Sequence, residues 1–462
     1  MTSFRLLGRF PVSRAIGAGA ALAIALSACS EANERLLGVV DPDIINPSDI
    51  TNAEGAIALG NGALNSFREM TAANETSWLF GGLLADEWST SSTFIQNDET
   101  DQRRVAESNS SVTLMLRYLY RTRTRSNEAL GILRELSPTS RALMGELYLA
   151  RGYAELQLAS DFCNGIPMSN SGKSDPVNEE QKSTQQVFQY AAASLDSAIA
   201  MANGADAASV QINQAARIVR ARIALALGAF TEAAPFVSGI PSSFAYRHTF
   251  SNTAGNNILW SQGLSSRRYS VGDSVEGNSR DILVTNAIPF ASARDPRLPV
   301  TIPTSGAING QDGQTYTRTT GMWQQLTPVD VANGVDARMI EAEAALRAGN
   351  VTEWLSIHNA LRAAPPKLGE IQPAAMPALV DPGTEAGRVS LHFREKAFWT
   401  FGRGQRLGDM RRLIKQYGRT QQQVFPQGVH YKGGNYGTDV NLPITQAEQN
   451  NPNFKSCTDR NP

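Results

Sequence analysis

The chain of 462 residues carries 42 lysines and arginines against 43 aspartates and glutamates, a formal net charge of −1. That balance offers no electrostatic basis for nucleic acid or an anionic membrane surface as a partner. Apolar residues make up 42% and charged ones 18%, which excludes a disordered, charge-rich class and leaves ample material for a large core.

At the N-terminus, Arg5, Arg9 and Arg14 precede an apolar, small-residue run from Ala15 to Ala28. The run has the length of a signal-peptide core and is short of the roughly 20 residues a membrane-spanning helix needs. Leu26-Ser27-Ala28-Cys29 then resembles the bacterial lipobox, in which the chain is cut before a cysteine that takes lipid on sulfur. A plain secretory signal cut near Ala28 is the other reading. Residues 1–28 are therefore expected to be a lipoprotein signal peptide, Cys29 the lipidation site and residues 29–48 a flexible tether. Their loss takes the net charge to −4, because the segment holds three arginines and no acid. Several acyl chains anchor a protein stably where one does so marginally. With Cys29 set aside, Cys163 and Cys457 form an even pair in an exported chain, and a disulfide that staples the C-terminal tail to the end of an early helix is expected, with two free buried thiols as the alternative.

Helix dominates from residue 49. Ser48 or Asp49 can cap a helix to about Thr71, with Ala53, Ile57, Gly60, Leu64 and Phe67 on one face. Further helices are predicted over Trp78–Trp88, Val112–Leu136 and from Arg141 to the turn at Asn164-Gly165-Ile166-Pro167. Three more follow over Thr184–Met201, Val210–Leu227 and Phe230–Phe236. Successive helices joined by short turns are the pattern of tetratricopeptide-like pairs, although the strict 34-residue signature is absent. Over 238–334 glycine, serine, asparagine and threonine prevail, with strand-like pieces at "DILVTN" and "RLPVTI". So long an irregular stretch inside a domain argues for function. Helix returns within 335–415, and 416–462 is irregular again.

These segments, in order, resemble the SusD/RagB family of outer-membrane nutrient-binding lipoproteins. The resemblance rests on the lipobox, "INPSDI", "RALMGELYLARGYAELQLASDFCNGIPM", "RDPRL" at 294–298, "ARMIEAEAALRAGN", and the pair "FREKAFWTFGRGQRLGDMRRL" and "LPITQAEQNNPN". It implies a mainly α fold: a tetratricopeptide-like helical-pair scaffold over 49–237 and 335–415, with irregular ligand-side segments at 238–334 and 416–462. It also implies a surface-exposed, lipid-anchored protein of the outer membrane that captures oligosaccharides or similar nutrients and passes them to a TonB-dependent transporter barrel. A helical-repeat scaffold lipoprotein that binds only protein is the alternative.

No enzymatic motif stands against that reading. His248, His358, His392 and His430 are scattered, no metal-ligand spacing occurs, and "SNSGKSD" lacks the first glycine of a phosphate loop. No catalytic residue, metal or cofactor is expected. Asp86, Glu87, Asp273 and Glu276 read as solvated or capping carboxylates, and Arg406, Asp409, Arg411 and Arg412 as an ion-pair network.

A sugar presents an apolar C–H face and a rim of hydroxyls, so a binding site needs a ring and a few polar partners. The candidates are Trp88 and Trp323 first, then Trp78, Tyr269 and Tyr316, with Asp86, Asn97 and Arg318 as polar partners. Buried packing is the competing reading of each aromatic.

Overall fold

In the computed structural model, residues 49–171, 176–304 and 307–462 are described, and residues 51–462 form one contact unit. The expected signal peptide, the lipidation site at Cys29 and the tether lie outside the described residues.

The first helix, α1 (Ala53–Ala72), starts where the Asn52 side chain accepts the Gly55 N–H, later than the expected cap. Its buried face runs through Ala56, Gly60, Ala63, Phe67 and Met70, a helical period of small and large side chains. That face packs on α4 (Ser110–Leu136) and α5 (Arg141–Asp161). Helix α5 is buried nearly all round because α6 (Thr184–Met201) covers another side of it. A Cβ at Gly152 would lie 2.5 Å from a Leu195 methyl, so glycine there sets the distance between α5 and α6. The stack continues through α7 (Ala207–Ala226) and α8 (Phe230–Val237).

From α8 the chain leaves the stack for almost a hundred residues, yet α8 packs directly on α9 (Gly334–Arg347), which pairs with α10 (Val351–Ala363). The insertion is therefore looped out of a continuous array of helix pairs. Its two ends are zipped together by antiparallel pairing of Ala245–His248 with Val329–Asn333, and Asn333 then caps α9 in a reciprocal box with Asp336. This is the mainly α, tetratricopeptide-like architecture that the sequence predicts. The strand-like pieces also form: Ile282–Leu283 and Val300–Thr301 are short strands within the insertion.

Two boundaries differ from expectation, and one short helix is added. Helix α2 covers Ser77–Leu84 and stops before Trp88, which opens a strand, Trp88–Thr90, paired antiparallel with Tyr269–Val271. A short helix, α3 (Ile95–Asp101), follows it. The helix expected within 335–415 is interrupted after Trp399, where α11 (Glu385–Trp399) ends. The next, α12 (Arg406–Tyr417), begins after a turn in which Gly402 and Gly404 take φ of 69° and 63°. A Cβ at Gly404 would meet the Trp78 ring at 2.4 Å, and one at Gly402 would meet Trp323 at 2.8 Å. Left-handed backbone and indole packing together require glycine at both.

The tail returns across the end of α5. Cys163 and Cys457 are joined by a disulfide, Phe162 bridges Leu442, and Asn164 donates to the Asp459 carboxylate.

Candidate functional site

The strand pair formed by residues 88–90 and 269–271 decides the fate of most predicted site aromatics. Alternation carries Trp88 inward, where its ring centroid lies 4.8 Å from Phe401, 6.4 Å from Tyr269 and 6.5 Å from Trp323. Phe290 extends the cluster, 5.1 Å from Phe401 and from Phe398. Trp88, Trp323 and Tyr269 retain 2%, 5% and 2% exposure, and Trp78 none. Trp78 also spends its indole N–H on the Tyr153 hydroxyl at 3.1 Å. No face of these four rings is left for a sugar, which corrects the expectation that Trp88 and Trp323 lead a binding site.

The polar partners divide. Asp86 is buried, with Arg406 donating to both its oxygens and the Ile288 N–H donating at 2.9 Å. Asn97 is buried in α3. Neither reaches a ligand surface. Next to Asp86, burial pushes the Glu87 carboxyl up to about 8, against the opposing hydrogen bond from the Gly402 N–H.

Tyr316 and Arg318 do reach one. They line a cavity of about 210 Å³ with Asp273, Glu276, Asp281 and Ile302. It adjoins a polar cleft of about 690 Å³, and the two share Asn278, Thr315 and Tyr431. The cleft is closed on one side by Ser92, Thr93 and Asp98 at the start of α3, and on the other by Asp312 and the tail residues Lys432 and Gly433. Insertion and tail, both irregular in sequence, thus converge on one surface.

The floor of this site is rigidly wired. The Lys432 ammonium donates to the Ser92 carbonyl at 3.0 Å, to Asp98 at 2.8 Å and reaches Asp312 at 3.0 Å. Burial pushes the Asp312 carboxyl up, but hydrogen bonds from Thr315, Gln314 and Lys432 outweigh it and hold it below the usual range. Arg318 donates to Glu276 at 2.6 Å, to Ser270 Oγ at 3.2 Å and to the Val275 carbonyl at 3.2 Å. Burial raises the Glu276 carboxyl, and the Arg318 charge opposes that rise.

Between the two cavities runs a loop in which Gly277, Asn278, Ser279 and Asp281 all have positive φ, from 54° to 91°. Three of these are not glycine, so the surroundings must hold the conformation. Asn278 does so: its Oδ1 accepts the Tyr316 N–H at 2.7 Å and its Nδ2 donates to the Gln314 carbonyl. The arrangement can offer amide, hydroxyl and carboxylate partners beside one partly exposed phenol ring, Tyr316, and the apolar side chains Val275 and Ile302. Among the described residues no group of histidine, cysteine and acidic side chains is arranged to hold a metal, and no helix is long and apolar enough to cross a membrane.

Sequence reasoning missed Asn278, Arg280, Asp281, Asp312, Tyr431 and Lys432. Their signal was turn chemistry: "EGNSRD", "GQDGQ" and "YKGGN" are dense in residues that tolerate left-handed backbone.

No family model and no curated protein matches the sequence. Solved structures do. A SusD superfamily protein from Bacteroides fragilis superimposes with a TM-score of 0.63 at 16% identity, covering 87% of this chain and 98% of that one. The surface glycan-binding protein A from Bacteroides uniformis gives 0.59 at 13% identity, covering 87% and 99%. A SusD-like carbohydrate binding protein from Bacteroides vulgatus gives 0.56 at 12%, covering 78% and 83%. The chain has the fold of the SusD superfamily over nearly all of its length.

Proposed function

We propose, from a SusD-superfamily fold that carries this cleft, that the chain is a non-catalytic binding protein for oligosaccharides. It works at the cell surface, anchored in the outer membrane through lipid on Cys29, and passes its ligand to a TonB-dependent transporter.

The observation that supports this reading most is the convergence of the 272–318 insertion and the 430–433 tail on one pre-formed polar cleft. A helical array that bound only protein would need neither segment. In the cleft the Tyr316 ring takes the C–H face of a pyranose, while Asn278, Ser279 and Gln314 exchange hydrogen bonds with its hydroxyls. The carboxylates that a glycosidase would use face one another across a gap of about 5 to 9.5 Å. Here Asp86 and Glu276 are instead tied to Arg406 and Arg318. Two fold neighbours, a surface glycan-binding protein and a carbohydrate binding protein, agree with this use of the fold.

The test is a glycan-array or affinity-gel screen of the wild type and of Tyr316→Ala. Retention of at least one oligosaccharide that the variant loses, with unchanged thermal unfolding, is the expected result. Steady release of reducing ends from a polysaccharide panel overturns the non-catalytic reading. Cys29→Ser tests the anchor: the variant should appear as soluble protein, and continued membrane association would sink that assignment.

A further inference from the structure

Among the described residues that line the two spaces, every cation but one is already spent on the protein itself. The three N–H bonds of Lys432 point at the Ser92 carbonyl, Asp98 and Asp312. The Arg318 guanidinium is occupied by Glu276, Ser270, the Val275 carbonyl and, at 3.8 Å, Asp273. Arg280 alone keeps N–H groups over, after donating to the Gly277 and Tyr431 carbonyls.

The acids are not balanced in the same way. In the larger cleft Lys432 and Arg280 match Asp98 and Asp312, but around the smaller cavity Arg318 alone answers Asp273 and Glu276, so that cluster carries an excess of negative charge. Asp281, next in sequence to Arg280, adds another: it is exposed, lines the smaller cavity, and makes no hydrogen bond or ion pair among the described residues. A ligand carboxylate or sulfate entering the smaller cavity meets a surplus of like charge and finds Arg318, the guanidinium that lines it, already engaged. Hydroxyl groups, which can donate to Asp281, meet no such obstacle.

We propose that the smaller cavity of this site selects uncharged or amine-bearing glycan units and rejects uronate- and sulfate-bearing ones, with Asp281 as the residue that sets the discrimination. The proposal rests on the glycan-binding reading above and adds its substrate class. A unit charge about 4 Å from a ligand anion at an exposed site is worth about fivefold in affinity, an effect that high salt removes.

The experiment uses the full chain, purified in detergent, against oligosaccharide pairs that differ in charge alone: homogalacturonan oligomers with and without methyl esters, and chitin against chitosan oligomers. Where another glycan on an array is the one retained, its uronate- or sulfate-bearing counterpart supplies the pair. The esterified member should bind at least about fivefold more tightly than the anionic one, chitosan should bind at least as tightly as chitin, and both Asp281→Asn and 1 M salt should narrow the first ratio. Equal or tighter binding of the anionic member overturns the proposal, as does an Arg280→Gln variant that weakens the anionic member alone. Retention of no glycan of either charge would instead defeat the glycan-binding reading, and the selectivity with it.

Discussion

Arg406 donates to both oxygens of Asp86, at 2.7 and 2.8 Å, across 320 residues of sequence. Both side chains are buried, and the pair joins the start of α12 to the turn after α2. Removing one partner strands the other charge out of water, which costs far more than the net worth of the pair. Asp86→Ala should lower stability by about 3–5 kcal/mol, read from the urea midpoint, while a Met pair at 86 and 406 should recover much of the loss. Equal destabilisation by the single and double changes would show that the cost lies in packing rather than in the unpaired guanidinium.

The buried indoles and the cleft phenol should part company on mutation. Trp88→Ala and Trp323→Ala each remove a ring from the core cluster, and such truncations cost about 3–5 kcal/mol. Tyr316→Ala, at a half-buried ring that lines the smaller cavity, should cost far less than either indole and reduce glycan retention. If a folded Trp88→Ala protein lost binding at unchanged stability, the packing assignment of Trp88 would be wrong.

Stability should fall as the solution turns alkaline. Burial raises the Glu87 carboxyl to about 8 and the Asp161 carboxyl to about 7, both from the ordinary acidic range. A group whose pKa rises on folding holds its proton more tightly in the folded chain, so its contribution is complete below the unfolded value and lost as pH climbs through the folded one. Thermal unfolding followed from pH 5 to 9 should therefore show a decline that Glu87→Gln makes shallower. Buried His248, held down to about 3 by desolvation and then by the Arg68 charge, acts in the opposite sense. Its contribution disappears as pH falls from its ordinary value toward 3.

The disulfide between Cys163 and Cys457 closes a loop of 294 residues and pins the tail to the end of α5. Cys457→Ser should cost about 2–5 kcal/mol, and limited proteolysis should cut first in the released tail. Non-reduced peptide mapping of the wild type should yield one linked pair, and two separately alkylated thiols would remove the basis for the effect.

The scaffold was legible because its signal is local. Leu147, Ala150, Ala154 and Leu158 fall at helical spacing and are buried in α5, and the small residues of α1 mark a close helix contact before any partner is known. The site was legible only in outline. The composition of 238–334 and 416–462 marks the segments that converge on the cleft, and Tyr316 and Arg318 were among the residues it nominated. Trp88 and Trp323 misled because a large ring in a polar, irregular stretch reads the same whether it faces water or a neighbouring strand.

What the sequence by itself determined is therefore the helical array, the two irregular segments and the pair of cysteines, each written in short-range periodicity, composition or parity. What only the tertiary structure decided is which aromatics are core and which charges are spent. Strand pairing of residues 88–90 with 269–271 turns Trp88 inward, and contacts between residues tens to hundreds of positions apart consume Lys432, Arg318 and Asp86 while leaving Asp281 to face the smaller cavity. Burial and charge pairing depend on what lies opposite a side chain, and the partner here comes from a distant part of the chain.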